Sequence, residues 1–178
     1  MRHASRCIIT FGLAALLLAG CARREAPPPA PPPPVPPPVV ITPLSPSAYV
    51  ATASSIDLLA IEASRLAQVR TQNARVRAVA STLLADHGGV SAQLSFAGRR
   101  LNLLPSATLM PLHQAMLSEL RTAPDFDAAY KRIMIAVHEQ GLRVHGDFAG
   151  AGNSPTLRPV AEVALPVMRR HLNQLRGL

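Results

Sequence analysis

From Asp125 to Gly146 the chain reads DFDAAYKRIMIAVHEQGLRVHG. Phe126, Tyr130, Ile133, Val137, Val144 and Phe148 return at three- and four-residue steps, with Met134, Gly141 and His145 in the adjacent row. At the α-helical period these positions make one broad apolar side and leave Arg132, Glu139 and Arg143 to water. His138 falls inside the apolar sector. A face this wide needs partner helices to cover it.

The rest of the chain supplies them. A first helix is predicted over about Ser47–Thr71, with Ile56, Leu59, Ala63, Leu66 and Ala67 inward. A second follows Asn73, a residue suited to cap a helix start, and runs to about Asn102 along Val76, Val79, Leu83, His87, Val90, Leu94, Ala97 and Leu101. Gly88-Gly89 weakens it by about 1 kcal/mol per Gly and marks a site for a kink. A short piece, Leu109–Arg121, leads into the helix described above. The last helix is predicted to begin at Ser154-Pro155 and carries Leu157, Val160, Ala161, Ala164, Met168, His171, Leu172 and Leu175. Pro166 inside it removes one backbone hydrogen bond and predicts a bend. No strand pattern or internal repeat interrupts the series. The expected fold is all-α: a four-helix bundle with a short extra helix in the crossover between helices 2 and 3.

Upstream of the bundle the pattern changes twice. Residues 1–20 read as a secretory leader, with Arg2 and Arg6 ahead of an apolar core, Ile8–Leu18. That core is about half the ~20 residues that span a bilayer, so it is not expected to remain as a membrane helix. It ends Leu18-Ala19-Gly20-Cys21, which resembles the lipobox of bacterial lipoproteins. The resemblance implies cleavage before Cys21, lipidation of its thiol and acylation of its new amine; two or three acyl chains anchor durably where one does not. Ala22 rather than Asp follows the Cys, which implies sorting to the outer membrane, facing the periplasm. Residues 21–46 are the anchor and a linker: twelve of the 18 prolines lie between Pro27 and Pro46. Pro27–Pro38 alone predicts a semi-rigid polyproline stalk of roughly 37 Å. The bundle then occupies 47–178.

Composition sharpens this picture. Hydrophobic residues make up 48% of the chain and aromatics only 3%, with no Trp, so Ala and Leu must do the packing. Cys7 and Cys21 are the only cysteines. One leaves with the leader and the other carries lipid, so disulfides, zinc ribbons, iron–sulfur clusters and thiol catalysis are excluded from the bundle. The net charge is +8, and without the leader 16 basic residues stand against 10 acidic ones. Such a balance favours anionic surfaces, so the expected partners are the membrane through Cys21 and an envelope protein or polyanion. Nucleic acid is not expected, because the arginines are scattered and no aromatics are interleaved with them.

Each long helix places one ligand-type residue in its apolar sector: Glu62 among Leu58, Leu59, Leu66 and Val69; His87; His138; and His171. Converging in a bundle core, these would suit a divalent transition metal such as Fe, Zn or Mn. Buried histidines also set helix register through hydrogen bonds alone, and both readings stand at this level. Counted from the turns near Gln72 and Gly152, Glu62 and His87 are offset by roughly 7.5 Å along the axis, and His138 and His171 similarly. One ion is therefore not expected to take all four.

The segments IEASRLA, LLADHGGVSAQL, FDAAYKRIMIAVHE and ALPVMRRHL together resemble the DUF4142 family of exported bacterial proteins, over about residues 48–176. The resemblance implies a ferritin-like bundle, often described as an outer-membrane protein, and singles out Glu62, Asp86, His87, Asp127, Tyr130, His138, Pro166 and His171. It does not imply ferroxidase chemistry. Di-iron bundles need Glu three residues before His, and here Leu84, Ile135 and Met168 hold those places. No Gly-x-Ser-x-Gly or phosphate-cradling loop is present, and Asp125 and Asp127 read as helix-start residues. The leading expectation is a non-catalytic, lipid-anchored envelope interaction or stress-related module; the alternative is a metal-binding ferritin-like protein with a site in the bundle core.

Overall fold

The computed structural model describes residues 44–178. The leader, Cys21 and all but the end of the proline-rich linker lie outside the described residues. Five helices follow in order: α1 (Pro46–Arg70), α2 (Ala74–Arg99), α3 (Pro111–Thr122), α4 (Phe126–Ala151) and α5 (Arg158–Arg176). Among the described residues there is no strand. The four long helices pack as a bundle and α3 rides in the crossover between α2 and α4. No described helix is long and apolar enough to cross a membrane.

Local chemistry explains the boundaries. Ser45 accepts a hydrogen bond from the Ala48 amide, with Pro46 at the first helical position. Asn73 caps α2 as expected, taking the amides of Arg75 and Val76, and Asp125 caps α4 through Ala128. At the end of α2 the chain folds back so tightly that a Cβ on Gly98 would lie 2.1 Å from the Leu103 carbonyl oxygen. Only glycine fits there. α2 is continuous through Gly88-Gly89, and α5 through Pro166. Pro166 lies on the exposed side of α5.

α5 starts later than its sequence suggests. Pro155–Leu157 form a turn, in which Ser154 takes the Leu157 amide through both its carbonyl and its hydroxyl, and the helix begins at Arg158. The connection from α4 is thus six residues long, Gly152–Leu157, and this shift decides the register of the site.

All eight inner residues predicted for α5 are buried. The seam of α2 is as read from sequence, except that Val79 is only partly buried and Leu101 is exposed. On α1 the expected Ile56, Leu59, Ala63 and Ala67 are fully buried and Leu66 is partly so. The buried side also takes in Asp57 and the small residues Ala53, Ala60 and Ser64, which let neighbouring helices approach closely, while Val69 is 77% exposed. α3 is pinned from both sides: the Arg70 guanidinium donates to the carbonyls of Leu120, Arg121 and Ala123. Buried His113 joins Ser55 on α1 at 2.7 Å to Gln140 on α4 at 3.0 Å. At the end of the bundle where α1 begins and α4 ends, the rings of Tyr49 and Phe148 stack at 3.9 Å.

Candidate metal centre

His87 lies 13 positions after the start of α2 at Ala74, and Asp57 lies 13 before the end of α1 at Arg70. Across the other hairpin, His138 lies 13 before the end of α4 at Ala151, and His171 lies 13 after the start of α5 at Arg158. At 1.5 Å per residue all four sit about 20 Å from their hairpin ends. Because the two hairpin turns are at opposite ends of the bundle, that common count puts the four residues at one level in its middle. The axial offset expected between His138 and His171 is absent, because the Gly152–Leu157 connection absorbs it.

The three imidazoles meet there, each fully buried. His87 Nε2 stands 3.1 Å from His138 Nε2, and His138 Nε2 stands 3.3 Å from His171 Nδ1. All three facing nitrogens lie within 4.8 Å of one another. The outer nitrogen of each ring has an acceptor: Asp57 Oδ1 for His87 Nδ1 at 2.8 Å, the Met134 carbonyl for His138 Nδ1 at 2.7 Å, and Asp86 Oδ2 for His171 Nε2 at 2.8 Å. Carboxylates and carbonyls can only accept, so the outer nitrogens carry the protons. The inner nitrogens are then lone pairs pointed at one another. This is unfavourable for three neutral rings and favourable around a cation. An ion bonded to imidazole nitrogens at about 2.0–2.1 Å holds neighbouring donors roughly 3.3–3.6 Å apart in tetrahedral or trigonal geometry, close to the spacing observed. The donor set therefore fits a metal ion, and the outer acceptors are of the kind that orient histidine ligands.

Electrostatics keep His138 and His171 in the ligand form. Burial, with repulsion from His87, pushes His138 down to about 3. His171 falls to about 4, with burial outweighing the hydrogen bond to Asp86. Burial raises the Asp57 carboxyl, against the hydrogen bond and charge of His87, and its Oδ2 has no partner. For Asp86, desolvation is the largest single influence and acts upward, but the hydrogen bonds and charges of His171 and Arg170 together win and hold it below the usual carboxylate range. Toward the end of the bundle where α1 begins, Tyr49 Oη and His145 Nδ1 are 3.0 Å apart. Burial and then Asp57 raise the Tyr49 phenol, and burial pushes His145 down to about 4.

The other candidates are placed as follows. Glu62 is not in the core; its side chain is 34% exposed and bonds Arg65 at 2.8 Å. It borders a shallow cleft under the crossover with Leu58, Thr108 and Arg121. Asp57, absent from the candidates, is the buried acid instead. Its only sequence signal is a place in the Ala53–Asp57–Ala60–Ser64–Ala67 row. Asp86 supports His171. Tyr130 is fully buried with its hydroxyl 3.2 Å from Ser64 Oγ, and burial pushes it up to about 12. Asp127 occupies the first turn of α4, where its charge suits the helix dipole.

The family model described as "Domain of unknown function (DUF4142)" matches residues 31–178. The chain belongs to the DUF4142 family. No curated protein matches it in sequence. Two solved structures share its fold: "CopM in the Cu(II)-bound form", with a TM-score of 0.66 and 15% identity over 76% of this chain and 96% of that one, and "CopM in the Cu(I)-bound form", with 0.63 and 13% over 75% and 94%.

Proposed function

We propose that this DUF4142 protein is a copper-binding bundle that holds one ion between His87, His138 and His171. The observation that carries the reading is the meeting of three imidazole nitrogens, each on a ring whose other nitrogen has an acceptor, two pairs of them 3.1 and 3.3 Å apart, in a fully buried place. Among divalent first-row ions, imidazole sites bind Cu(II) most tightly, ahead of zinc and iron, and a three-nitrogen set without oxygen ligands disfavours manganese. Both nearby carboxylates accept from outer ring nitrogens rather than offering oxygens to the centre. Copper is thus favoured over the iron, zinc or manganese expected from sequence, and the copper-bound forms of the structurally similar CopM support the same choice.

The role we assign is binding without turnover: holding or passing on copper at the cell envelope. Cys21, by its lipobox, would tether the bundle to the outer membrane on the periplasmic side. Full burial of the ligands leaves little room for a substrate beside the ion.

The test is metal analysis of the chain from residue 21 onward, with Cys21→Ser and no polyhistidine tag, after dialysis against Cu(I), Cu(II) or Zn(II). One copper per chain is expected, lost in His87→Ala and His138→Ala. Absence of stoichiometric copper in the parent protein, or its retention in both variants, would overturn the reading.

A further inference from the structure

The three histidines are not held alike. The acceptor of His87 is Asp57, fully buried. The acceptor of His138 is a main-chain carbonyl of its own helix. Only His171 is tied to a group that reaches water: the Asp86 side chain is 32% exposed and Arg170, bonded to it at 2.7 Å, is 50% exposed. A continuous polar path therefore runs from solvent through Arg170 and Asp86 to His171 and the buried centre. Both hydrogen bonds on Asp86 fall on Oδ2, so neither takes up Oδ1. One turn further along α2, a Cβ on Gly89 would meet nothing within 4 Å, so no side chain overhangs that flank.

We propose that Asp86, gated by Arg170, is the port through which copper reaches and leaves the three-histidine site. This rests on the copper reading above. The ion first meets the Asp86 carboxylate in place of the Arg170 guanidinium. The His171 ring then turns about its side-chain torsions, Nδ1 takes the ion inward toward His138 and His87, and Nε2–H returns to Asp86. No proton is gained or lost at His171, and the oxidation state of copper is unchanged. His87 and His138, anchored in the interior, stay in place and form the fixed half of the site. Asp86 serves as a docking and positioning group, since it is not among the three final ligands.

Loading and release separate this role from a merely structural one. The chain from residue 21 with Cys21→Ser is mixed with Cu(II)–glycine in stopped flow. Quenching of tyrosine fluorescence is followed, since the protein has two tyrosines and no tryptophan. Asp86→Asn should slow loading by about tenfold, on the scale of lost electrostatic guidance, and, because it also alters the outer partner of His171, weaken binding as Asp57→Asn does. Arg170→Ala should load several-fold faster, a gain that misfolding would not produce. If Asp86 only orients His171, Asp86→Asn will load at the parent rate, with the whole loss of affinity, about 10–100-fold, appearing as faster release, and that outcome would overturn the proposal. Equal slowing by Glu62→Gln, an exposed carboxylate remote from the path, would overturn it as well. A parent protein that binds no copper would instead sink the copper reading itself.

Discussion

His87 Nε2 and His138 Nε2 face each other across the bundle at 3.1 Å, each with its opposite nitrogen committed to an acceptor. Neither ring can turn away without stranding a buried N–H. The pair is thus preorganised for a cation and strained without one, which places metal affinity in opposition to the stability of the metal-free fold.

His138→Leu separates those two effects. The apolar side chain fills a similar volume and removes the facing lone pair, so the metal-free protein should gain about 1–2 kcal/mol, the usual return on relieving a functional compromise. Copper should no longer raise its melting temperature. Thermal melts of both proteins with and without copper check this, and a destabilised metal-free variant would count against the strain.

Asp57→Asn keeps an acceptor for His87 Nδ1 but removes the buried charge behind it. Copper affinity should drop about 10–100-fold, the usual loss when the outer partner of a histidine ligand is altered. Metal-free stability should hold or rise, since burial already works against the Asp57 charge. Competition with a copper chelator reads the first effect, and urea unfolding the second.

Stability should depend on pH through the depressed imidazoles. His145, pushed down to about 4, stays neutral in the fold, while the unfolded chain takes up a proton at that position below about 6.5. Its effect is therefore nil above that pH. Below it, folding stability falls by up to about 1.4 kcal/mol per pH unit until His145 itself protonates. His138 and His171 act in the same sense. Urea unfolding of metal-free protein between pH 7 and pH 5 should show this decline, and His145→Phe should flatten it by about one proton. A slope unchanged in the variant would mean His145 is not held neutral.

Cys21→Ser in the full chain should block lipidation and leave the leader uncleaved or the protein outside the outer-membrane fraction. Correct cleavage together with outer-membrane fractionation of the variant would rule out the lipobox reading.

The sequence alone determined the helices and that His87, His138, His145 and His171 face inward, though not that the buried His113 does. Both follow from chemistry within a few turns of chain: the 3.6-residue period, the caps at Asn73 and Asp125, and the burial of apolar side chains. What only the tertiary structure decided was which inward residues share a level. That depends on where each hairpin turns. A six-residue connection that delays α5 to Arg158 was enough to bring His171 level with His138, where local counting had put them about 7.5 Å apart. It also depends on which side of α1 faces the axis. Leu58, Leu59, Leu66 and Val69 pointed to Glu62, but Leu66 is only partly buried and Val69 is exposed, and the Ala/Ser row that packs inward beside Ile56 and Leu59 carries Asp57 with it. Hydrophobicity ranks side chains by size and polarity, whereas the spacing between helix axes selects them by fit, and the spacing exists only once the helices have met.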